Sequence, residues 1–167
     1  MIVLIDFGSQ TTHLISRRIR ELGANCEIVA PEDSIASLQN DKKVKGIILS
    51  GGPAAVFEEG SPTVDKKIFD LGIPILGICY GEQLMCHLLG GEVKLGLKKE
   101  FGPATISLKS GQSSKFLERI PDGFIGWMSH GDQVIKTPEG FKTYGTTQTI
   151  PHAVIADEKR KIYGIQF

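Results

Sequence analysis

A single stretch, residues 74 to 91, constrains the fold of this chain most, because it joins a strand to a helix with a cysteine at the junction. Ile75 to Ile78 form an apolar run of the length of a buried strand. Apolar residues at helical spacing follow and end at a pair of glycines, which predicts a helix and its C-terminus. Cys79 lies between the two elements, bracketed by Gly77 and Gly81 in the pattern G-x-C-x-G.

This pattern is the cysteine form of the nucleophile elbow, a turn so sharp that only small flanking residues avoid a clash. The N-terminus of the following helix provides free N–H groups and a partial positive charge, which favour a thiolate and a developing oxyanion. A buried structural cysteine at the end of a strand is the alternative. Because both glycines and the change from strand to helix are present, the sequence favours Cys79 as a nucleophile.

The composition is that of one ordinary soluble domain, since 41% of the 167 residues are hydrophobic and 23% are charged. A formal net charge of zero gives no support for a nucleic-acid or membrane partner. No apolar run approaches the roughly 18 residues that span a membrane, and the first residues indicate a strand, not a signal peptide. Cys26, Cys79 and Cys86 are odd in number and lack a metal-ligand spacing, which indicates reduced thiols in a cytoplasmic protein without a metal site.

The first half of the chain predicts an α/β fold with a largely parallel central sheet covered by helices on both faces. Strands are expected at Ile2–Ile5, Cys26–Ala30, Val44–Leu49 and Ile73–Ile78, and helices at 11–22, at 63–71 and, briefly, after Asp33 or Ser34. Beyond Gly91 the pattern changes to short strands around 92–96, 103–108, 124–129, 133–136, 141–147, 152–156 and 161–167. This β-rich C-terminal portion is expected to extend the sheet.

Three candidate site groups fall where parallel strands end: Asp6, the turn Ser50-Gly51-Gly52, and Cys79. Active groups lie at this edge of a parallel sheet. A glycine pair after a strand lets backbone N–H groups approach a ligand closely. One such N–H and the N–H of Tyr80 would make a two-donor oxyanion hole, although a tight turn without chemistry explains the glycines more simply.

A cysteine hydrolase needs a general base, and the candidates are His13, His87, His130 and His152. His87 follows Cys79 by eight residues on one helix, a distance of about 12 Å that is too long for proton transfer. His130 lies in the segment Trp127–Asp132, where an aromatic residue, a serine and an aspartate gather at a glycine turn. It is the most site-like of the four, either as a base or as part of a polar pocket wall.

Seven motifs together carry a resemblance to a known family: Asp6–Gln10, Arg17–Leu22, Ile47–Pro53, Gly77–Gly81, Glu100–Gly102, Trp127–Asp132 and Tyr163–Phe167. They resemble the class I (triad) glutamine amidotransferases, and within them the amidotransferase domain of GMP synthases. The resemblance runs over essentially the whole chain and implies the flavodoxin-like α/β fold of that family. The elbow and the final strand are shared by triad amidotransferases, whereas Tyr80, Glu100–Gly102 and Ser129–Asp132 are typical of GMP synthases.

The resemblance implies that Cys79 attacks the side-chain amide of L-glutamine, releasing ammonia and forming a glutamyl thioester that water hydrolyses to glutamate. It assigns the oxyanion hole to the backbone N–H groups of Gly52 and Tyr80, and recognition of glutamine to Gln83. The wall of the glutamine pocket matches four successive residues: Ser129, His130, Gly131 and Asp132. The resemblance therefore moves His130 from base to binding.

A partner is implied as well. The ammonia would pass to an ATP-pyrophosphatase synthetase, as a fused domain or a separate chain, where XMP, adenylated by ATP with Mg²⁺, becomes GMP. No cofactor is implied in the amidotransferase domain itself.

Two departures from the family pattern matter. In the family a catalytic His, a Pro and the triad Glu follow the last strand at once, whereas this sequence stops at Phe167. We therefore expect residues 1–167 to be an amidotransferase domain truncated at its C-terminus, without the synthetase domain and inactive alone. The alternatives are a catalytically incomplete binding or regulatory domain, or the glutaminase of another amidotransferase.

The second departure is Glu82, where the family usually has Met. If its side chain faced Cys79, it would oppose a thiolate, and if it faced outward, it would favour the helix N-terminus.

Overall fold

The computed structural model describes residues 1–34, 38, 43–111 and 114–167. The strands are β1 Ile2–Ile5, β2 Cys26–Val29, β3 Gly46–Leu49, β4 Ile75–Ile78, β5 Glu92–Leu108, β6 Phe124–Lys136, β7 Lys142–Thr146, β8 Val154–Asp157 and β9 Ile162–Ile165. The α-helices of the described part are α1 Thr12–Glu21 and α2 Tyr80–Leu88, and short 3-10 turns lie at Pro31–Asp33, Lys66–Asp70 and Lys115–Leu117.

The described strands form one mixed sheet in the order β2-β1-β3-β4-β9-β8-β7-β5-β6. The pairings among β2, β1, β3, β4 and β9 are parallel, and those among β9, β8, β7, β5 and β6 are antiparallel. The predicted α/β class is confirmed, and so is the β-rich portion that extends the sheet. Because the last strand, β9, pairs with β4, residues far apart in sequence meet beside Cys79.

The parallel half of the sheet is held by apolar strands that are buried on both faces, as continuous apolar runs predict. Val3, Leu4 and Ile5 of β1 are at most 1% exposed. One apolar cluster includes residues of β1, β3, β4 and α2. A second includes residues of β5, β6, β7 and β8. The first cluster also includes Val93 of β5, Val134 of β6 and Ile155 of β8, so it spans both halves of the sheet, whereas the second lies in the antiparallel half.

The helical cover is thinner in the described part than the sequence predicted. The helix expected at 63–71 is a 3-10 turn, Lys66–Asp70, which begins where the Asp65 carboxylate accepts a hydrogen bond from the Lys67 amide at 2.9 Å. Gly72 follows with a φ of +69°, a conformation that ends a helical segment. The short helix expected after Asp33 or Ser34 falls largely outside the described residues.

Two of the C-terminal strands are longer than predicted, whereas β7, β8 and β9 lie within or close to the predicted ranges. The expected strands at 92–96 and 103–108 are one strand, β5, and those at 124–129 and 133–136 are one strand, β6. The two pair as an antiparallel ribbon whose register shifts between Leu95 and Glu100. Gly102 pairs regularly with Met128, whereas Gly131 falls within the shift, which accommodates irregular backbone without ending the strand.

Candidate active site

Cys79 occupies a strained backbone position at the junction of β4 and α2. Its φ of 51° and ψ of −106° lie in a region that L-residues rarely adopt. The Cys79 amide donates to the Ile165 carbonyl at 2.8 Å, and its own carbonyl accepts from the Gln83 amide at 3.0 Å. Such strain persists only where the surroundings hold it, and it is typical of functional sites.

The two glycines around Cys79 are required by close backbone approaches. A Cβ on Gly77 would lie 2.7 Å from the backbone of Gly81, and a Cβ on Gly81 would lie 2.2 Å from the Leu49 carbonyl oxygen. Real Cβ atoms do not approach backbone atoms so closely. The helix can therefore start directly behind the cysteine only if both positions are glycine.

The Cys79 thiol meets groups from two other strands. Its Sγ donates to the Ser129 carbonyl oxygen at 3.8 Å, and the Gln166 side-chain amide donates to Sγ at 3.5 Å. Ser129 belongs to β6, and Gln166 directly follows β9. These two contacts join the thiol to other strands, and no histidine is among its hydrogen-bond partners in the described part of the chain.

Burial, and after it the charge of the nearby Glu82 carboxylate, raise the pKa of the Cys79 thiol to about 11. Hydrogen bonds from the Tyr80 backbone amide and the Gln166 side chain lower the pKa but do not offset these effects. The thiol is therefore protonated at neutral pH. Attack on an amide then requires a base that removes the proton.

Glu82 faces inward, which decides between the two orientations left open by the sequence. It is 0% exposed. Its Cγ packs against Gly164 of β9, since a Cβ added to that glycine would lie only 2.8 Å from the Glu82 Cγ. Neither carboxylate oxygen has a hydrogen-bond partner among the described residues. Burial raises the pKa of this carboxyl well above its usual range. Glu82 thus lies between α2 and β9, on the side where its ionised form would oppose a thiolate at Cys79.

The Ser50-Gly51-Gly52 turn lies beside Cys79, as the sequence predicted. A Cβ on Gly51 would lie 3.8 Å from the Cys79 Cβ. The turn is fixed by the Ser50 hydroxyl, which accepts from the Phe7 amide at 3.0 Å and donates to the Gly51 carbonyl at 2.8 Å. The third predicted group, Asp6, organises the loop before α1, because its Oδ1 accepts from the Gly8 amide and the Thr12 hydroxyl. The oxyanion role of Gly52 and Tyr80 stays a prediction.

Gln83 connects the helix to the predicted pocket wall. Its side-chain nitrogen donates to the Asp132 carbonyl at 2.9 Å and to the Gln166 side-chain oxygen at 3.1 Å. Both N–H donors of this amide are thus engaged inside the protein. Gln83 supports the wall in this structure, and its recognition of glutamine stays a prediction.

The wall residues Ser129 to Asp132 lie on β6, which brings Ser129 against the thiol. The His130 ring is turned away from this contact: its Nδ1 lies 3.0 Å from the Asp132 carbonyl oxygen, and its Nε2 lies 3.6 Å from the Glu100 carboxylate. Gly131 lies beside the Lys99 side chain. Burial and the charge of Glu58 raise the pKa of Asp132. The segment forms one side of the site, and its binding role stays a prediction.

The remaining histidines, His13, His87 and His152, make no hydrogen bond to the Cys79 thiol in the described part of the chain. His13 and His87 are exposed on α1 and α2. His152 shares a 2.6 Å hydrogen bond with the Thr143 hydroxyl.

Gln166 is the site residue whose contact with the thiol was not predicted from the sequence. Its signal was a polar side chain directly after an apolar strand, in the motif Tyr163–Phe167.

The family model described as glutamine amidotransferase class-I matches residues 3–167. The chain belongs to this family. Its curated relatives include the glutamine-hydrolysing GMP synthases of Phenylobacterium zucineum, 48% identical over 171 residues, and of Clostridium perfringens, 45% identical over 167 residues. These matches cover 99% and 100% of this chain but only 32% of each relative. The chain thus spans about a third of the length of these relatives.

Solved structures of amidotransferases share the fold. A candidate GMP synthase subunit from Thermoplasma acidophilum superposes with a TM-score of 0.87 at 32% identity, covering 99% of this chain and 82% of that one. A glutamine amidotransferase from Thermotoga maritima superposes with a TM-score of 0.75 at 22% identity, covering 99% and 74%. The second likeness concerns the fold alone.

Membrane-spanning and metal-binding features are both absent among the described residues. None of the helices there combines the length and the apolar character needed to cross a membrane. No group of three or more His, Cys, Asp or Glu side chains is placed to hold a metal ion in this part of the chain.

Proposed function

We propose that this amidotransferase domain is the glutaminase module of a GMP synthase. Cys79 attacks the side-chain amide of L-glutamine, ammonia leaves, and water hydrolyses the glutamyl thioester to glutamate. The observation that supports this most is the thiol on its strained elbow, with the Tyr80 amide directed at it and the Gly51-Gly52 turn beside it. A thiol so placed can attack a carbonyl carbon while backbone N–H groups of Gly52 and Tyr80 stabilise the oxyanion.

The base of this reaction is proposed to be a histidine that follows Phe167 in the intact protein, oriented by a glutamate. The need for a base follows from the protonated state of the buried Cys79 thiol, whose pKa is raised to about 11. Phe167 directly follows Gln166, which contacts Sγ, so a residue placed after it starts close to the thiol. The triad motif His-Pro-Glu of the family would occupy that place.

The ammonia is proposed to feed an ATP-dependent synthetase that converts XMP to GMP, with ATP and Mg²⁺ bound by the synthetase and not by this domain. The names of the relatives support this, because glutamine-hydrolysing GMP synthases are 45% to 48% identical to the chain. Three unpaired cysteines fit a reducing, cytoplasmic location. L-Glutamine and the synthetase, fused or separate, are the proposed ligand and partner.

The experiment compares two ammonia sources in the intact synthase that contains this chain. We expect Cys79→Ala to abolish glutamine-dependent GMP formation, because the thioester cannot form, while GMP formation from added ammonium stays near wild type. Cys26→Ala, at a buried cysteine outside the site, is the matched control and should keep both activities. Loss of the ammonium-dependent reaction in Cys79→Ala, or survival of the glutamine-dependent one, would contradict the proposed division of roles.

A catalytically incomplete domain that binds glutamine and regulates a partner is the second candidate. It is favoured by one observation, the absence of any histidine from the hydrogen bonds of the thiol among the described residues. Reading the residues that follow Phe167 separates the two. A His-Pro-Glu continuation supports the active enzyme, and any other continuation supports the regulatory domain.

A further inference from the structure

Glu100, which is partly buried, and His130, which is buried, form a pair across the β5–β6 ribbon, at the edge of the proposed pocket wall. They stand opposite each other in the register, directly beyond the shift between Leu95 and Glu100. Their side chains are 17% and 3% exposed, and His130 Nε2 lies 3.6 Å from Glu100 Oε2. The proposed thioester chemistry uses neither side chain, so the pair needs a separate explanation.

The hydrogen bonds of the ring determine where its first proton lies. His130 Nδ1 lies 3.0 Å from the Asp132 carbonyl oxygen, and a carbonyl oxygen only accepts, so Nδ1 carries a proton. Nε2 is buried and has no hydrogen-bond partner among the described residues. In a neutral ring, Nε2 would therefore point a lone pair at the Glu100 carboxylate. The contact becomes attractive only when Nε2 is protonated as well.

The Asp132 carbonyl connects this pair to the site. It accepts from His130 Nδ1 and also from the Gln83 side chain at 2.9 Å, and Gln83 in turn contacts Gln166 beside the thiol. Any change that releases the His130 ring removes one of these side-chain hydrogen bonds to the carbonyl. The position of the wall next to Cys79 thus depends on what holds the ring.

We propose that Glu100 is a positioning residue of the glutamine pocket, which acts through His130 to hold the Asp132 carbonyl and the wall around it. This inference rests on the proposed function, since it assigns the wall to L-glutamine. It makes the pocket sensitive to pH: the protonated ring bridges Glu100 and Asp132, and loss of the Nε2 proton removes the attraction to Glu100.

The charges around the ring set the direction of this dependence. Burial lowers the pKa of His130, while the carboxylates of Glu100 on β5 and Asp132 on β6 raise it in part. Glu58 and Lys99 act on Asp132 with opposite signs. The bridge is therefore complete at low pH and is lost as the pH rises through the pKa of His130, below the usual range of a histidine.

The first test follows the imidazole nitrogens of His130 by ¹⁵N NMR in the 167-residue chain between pH 4.5 and 8. In the wild type we expect Nδ1 to stay protonated and Nε2 to titrate. Glu100→Ala should lower the pKa of His130 further, because a favourable carboxylate is gone, whereas Glu92→Gln on the exposed end of β5 should leave it unchanged. An unchanged titration in Glu100→Ala, or a proton that stays on Nε2 and leaves Nδ1, would overturn the inference.

The second test measures the Kd for L-glutamine by calorimetry over the same pH range, in a Cys79→Ala background that prevents turnover. With Glu100 present in this background, the Kd should rise about fivefold as His130 Nε2 loses its proton, because roughly one hydrogen bond is lost. Glu100→Gln should flatten this profile, since the introduced amide can donate to the bare Nε2. Glu100→Ala should bind weakly at every pH. If Glu100→Gln leaves the dependence of the Kd on pH unaltered, the inference is overturned. If no variant binds glutamine, the proposed function is contradicted, and the NMR titration alone decides on the Glu100–His130 pair.

Discussion

At the scale of residues, Glu82 has unfavourable surroundings for a charged side chain. Its carboxyl is fully buried between α2 and β9 without a hydrogen-bond partner there. Burial raises its pKa well above the usual range, so folding favours the neutral form of the group. The unfolded chain ionises it near pH 4.3, and the folded state therefore loses stability, relative to the unfolded state, as the pH rises above that value.

We expect Glu82→Met to stabilise the protein at pH 7 and above, because Met fills the same space without a charge to desolvate. The free energy of unfolding of the wild type should fall relative to the variant by about 1.4 kcal/mol per pH unit, from about pH 4.3 up to the raised pKa of Glu82. Urea denaturation at pH 4, 5, 6 and 7 measures this difference.

Glu27→Met, at an exposed position on β2, is the matched control and should show no such pH-dependent difference. In addition, iodoacetamide should alkylate Cys79 at lower pH in Glu82→Met than in the wild type, because one cause of its raised pKa is removed. A difference in stability that does not change with pH would show that Glu82 is ionised in the folded state, against this account.

The chemistry at single residues was only partly predictable from the sequence. Cys79 and its two glycines could be predicted, because a close backbone approach restricts the residue type at each position. The orientation of Glu82 and the contact of Gln166 with the thiol could not, because both depend on β9 lying beside β4, a pairing between residues almost 90 apart in sequence.

At the scale of elements, the turn after β3 requires glycine at position 52 more strictly than at position 51. A Cβ on Gly52 would lie 2.6 Å from the Phe7 carbonyl oxygen, which is backbone and cannot move aside without shifting the loop after β1. A Cβ on Gly51 would meet nothing closer than 3.6 Å, an ordinary contact. The two positions therefore provide a matched pair.

We expect Gly52→Ala to lower the free energy of unfolding by about 2 kcal/mol or more, since the clash forces backbone movement. Gly51→Ala should stay within about 0.5 kcal/mol of the wild type. Urea denaturation compares the two. Equal stabilities of the variants would mean that the turn does not approach Phe7 as described.

Element boundaries were predicted well where a periodic pattern was strong and poorly where local signals competed. The strands β1 and β4 and the helices α1 and α2 lie where apolar runs and glycine stops predict them. The β5–β6 ribbon, which was predicted as four short strands, contains Gly102 and Gly131, and glycine locally disfavours a strand. Pairing along the whole ribbon outweighs these local preferences, a tertiary effect that single residues do not reveal.

At the scale of the whole molecule, the mixed sheet brings together groups that the chain keeps apart. The carboxyl ends of β3, β4 and β9 meet at one edge, where the Gly51-Gly52 turn, Cys79 and Gln166 lie. The ribbon then adds Ser129 from the antiparallel half. The parallel arrangement of β1 to β4 could be predicted from alternating strands and helices, whereas the pairing of β9 with β4 and the strand order of the antiparallel half could not.

The central claim is that Cys79 is a nucleophile directed at L-glutamine. Its most direct test is mass spectrometry of the 167-residue chain after incubation at pH 9 with a chloroketone analogue of L-glutamine. We predict a single covalent adduct on Cys79, formed more slowly when L-glutamine is added and unaffected by D-glutamine. Labelling spread over Cys26 and Cys86, or labelling of Cys79 that L-glutamine does not slow, would contradict this account.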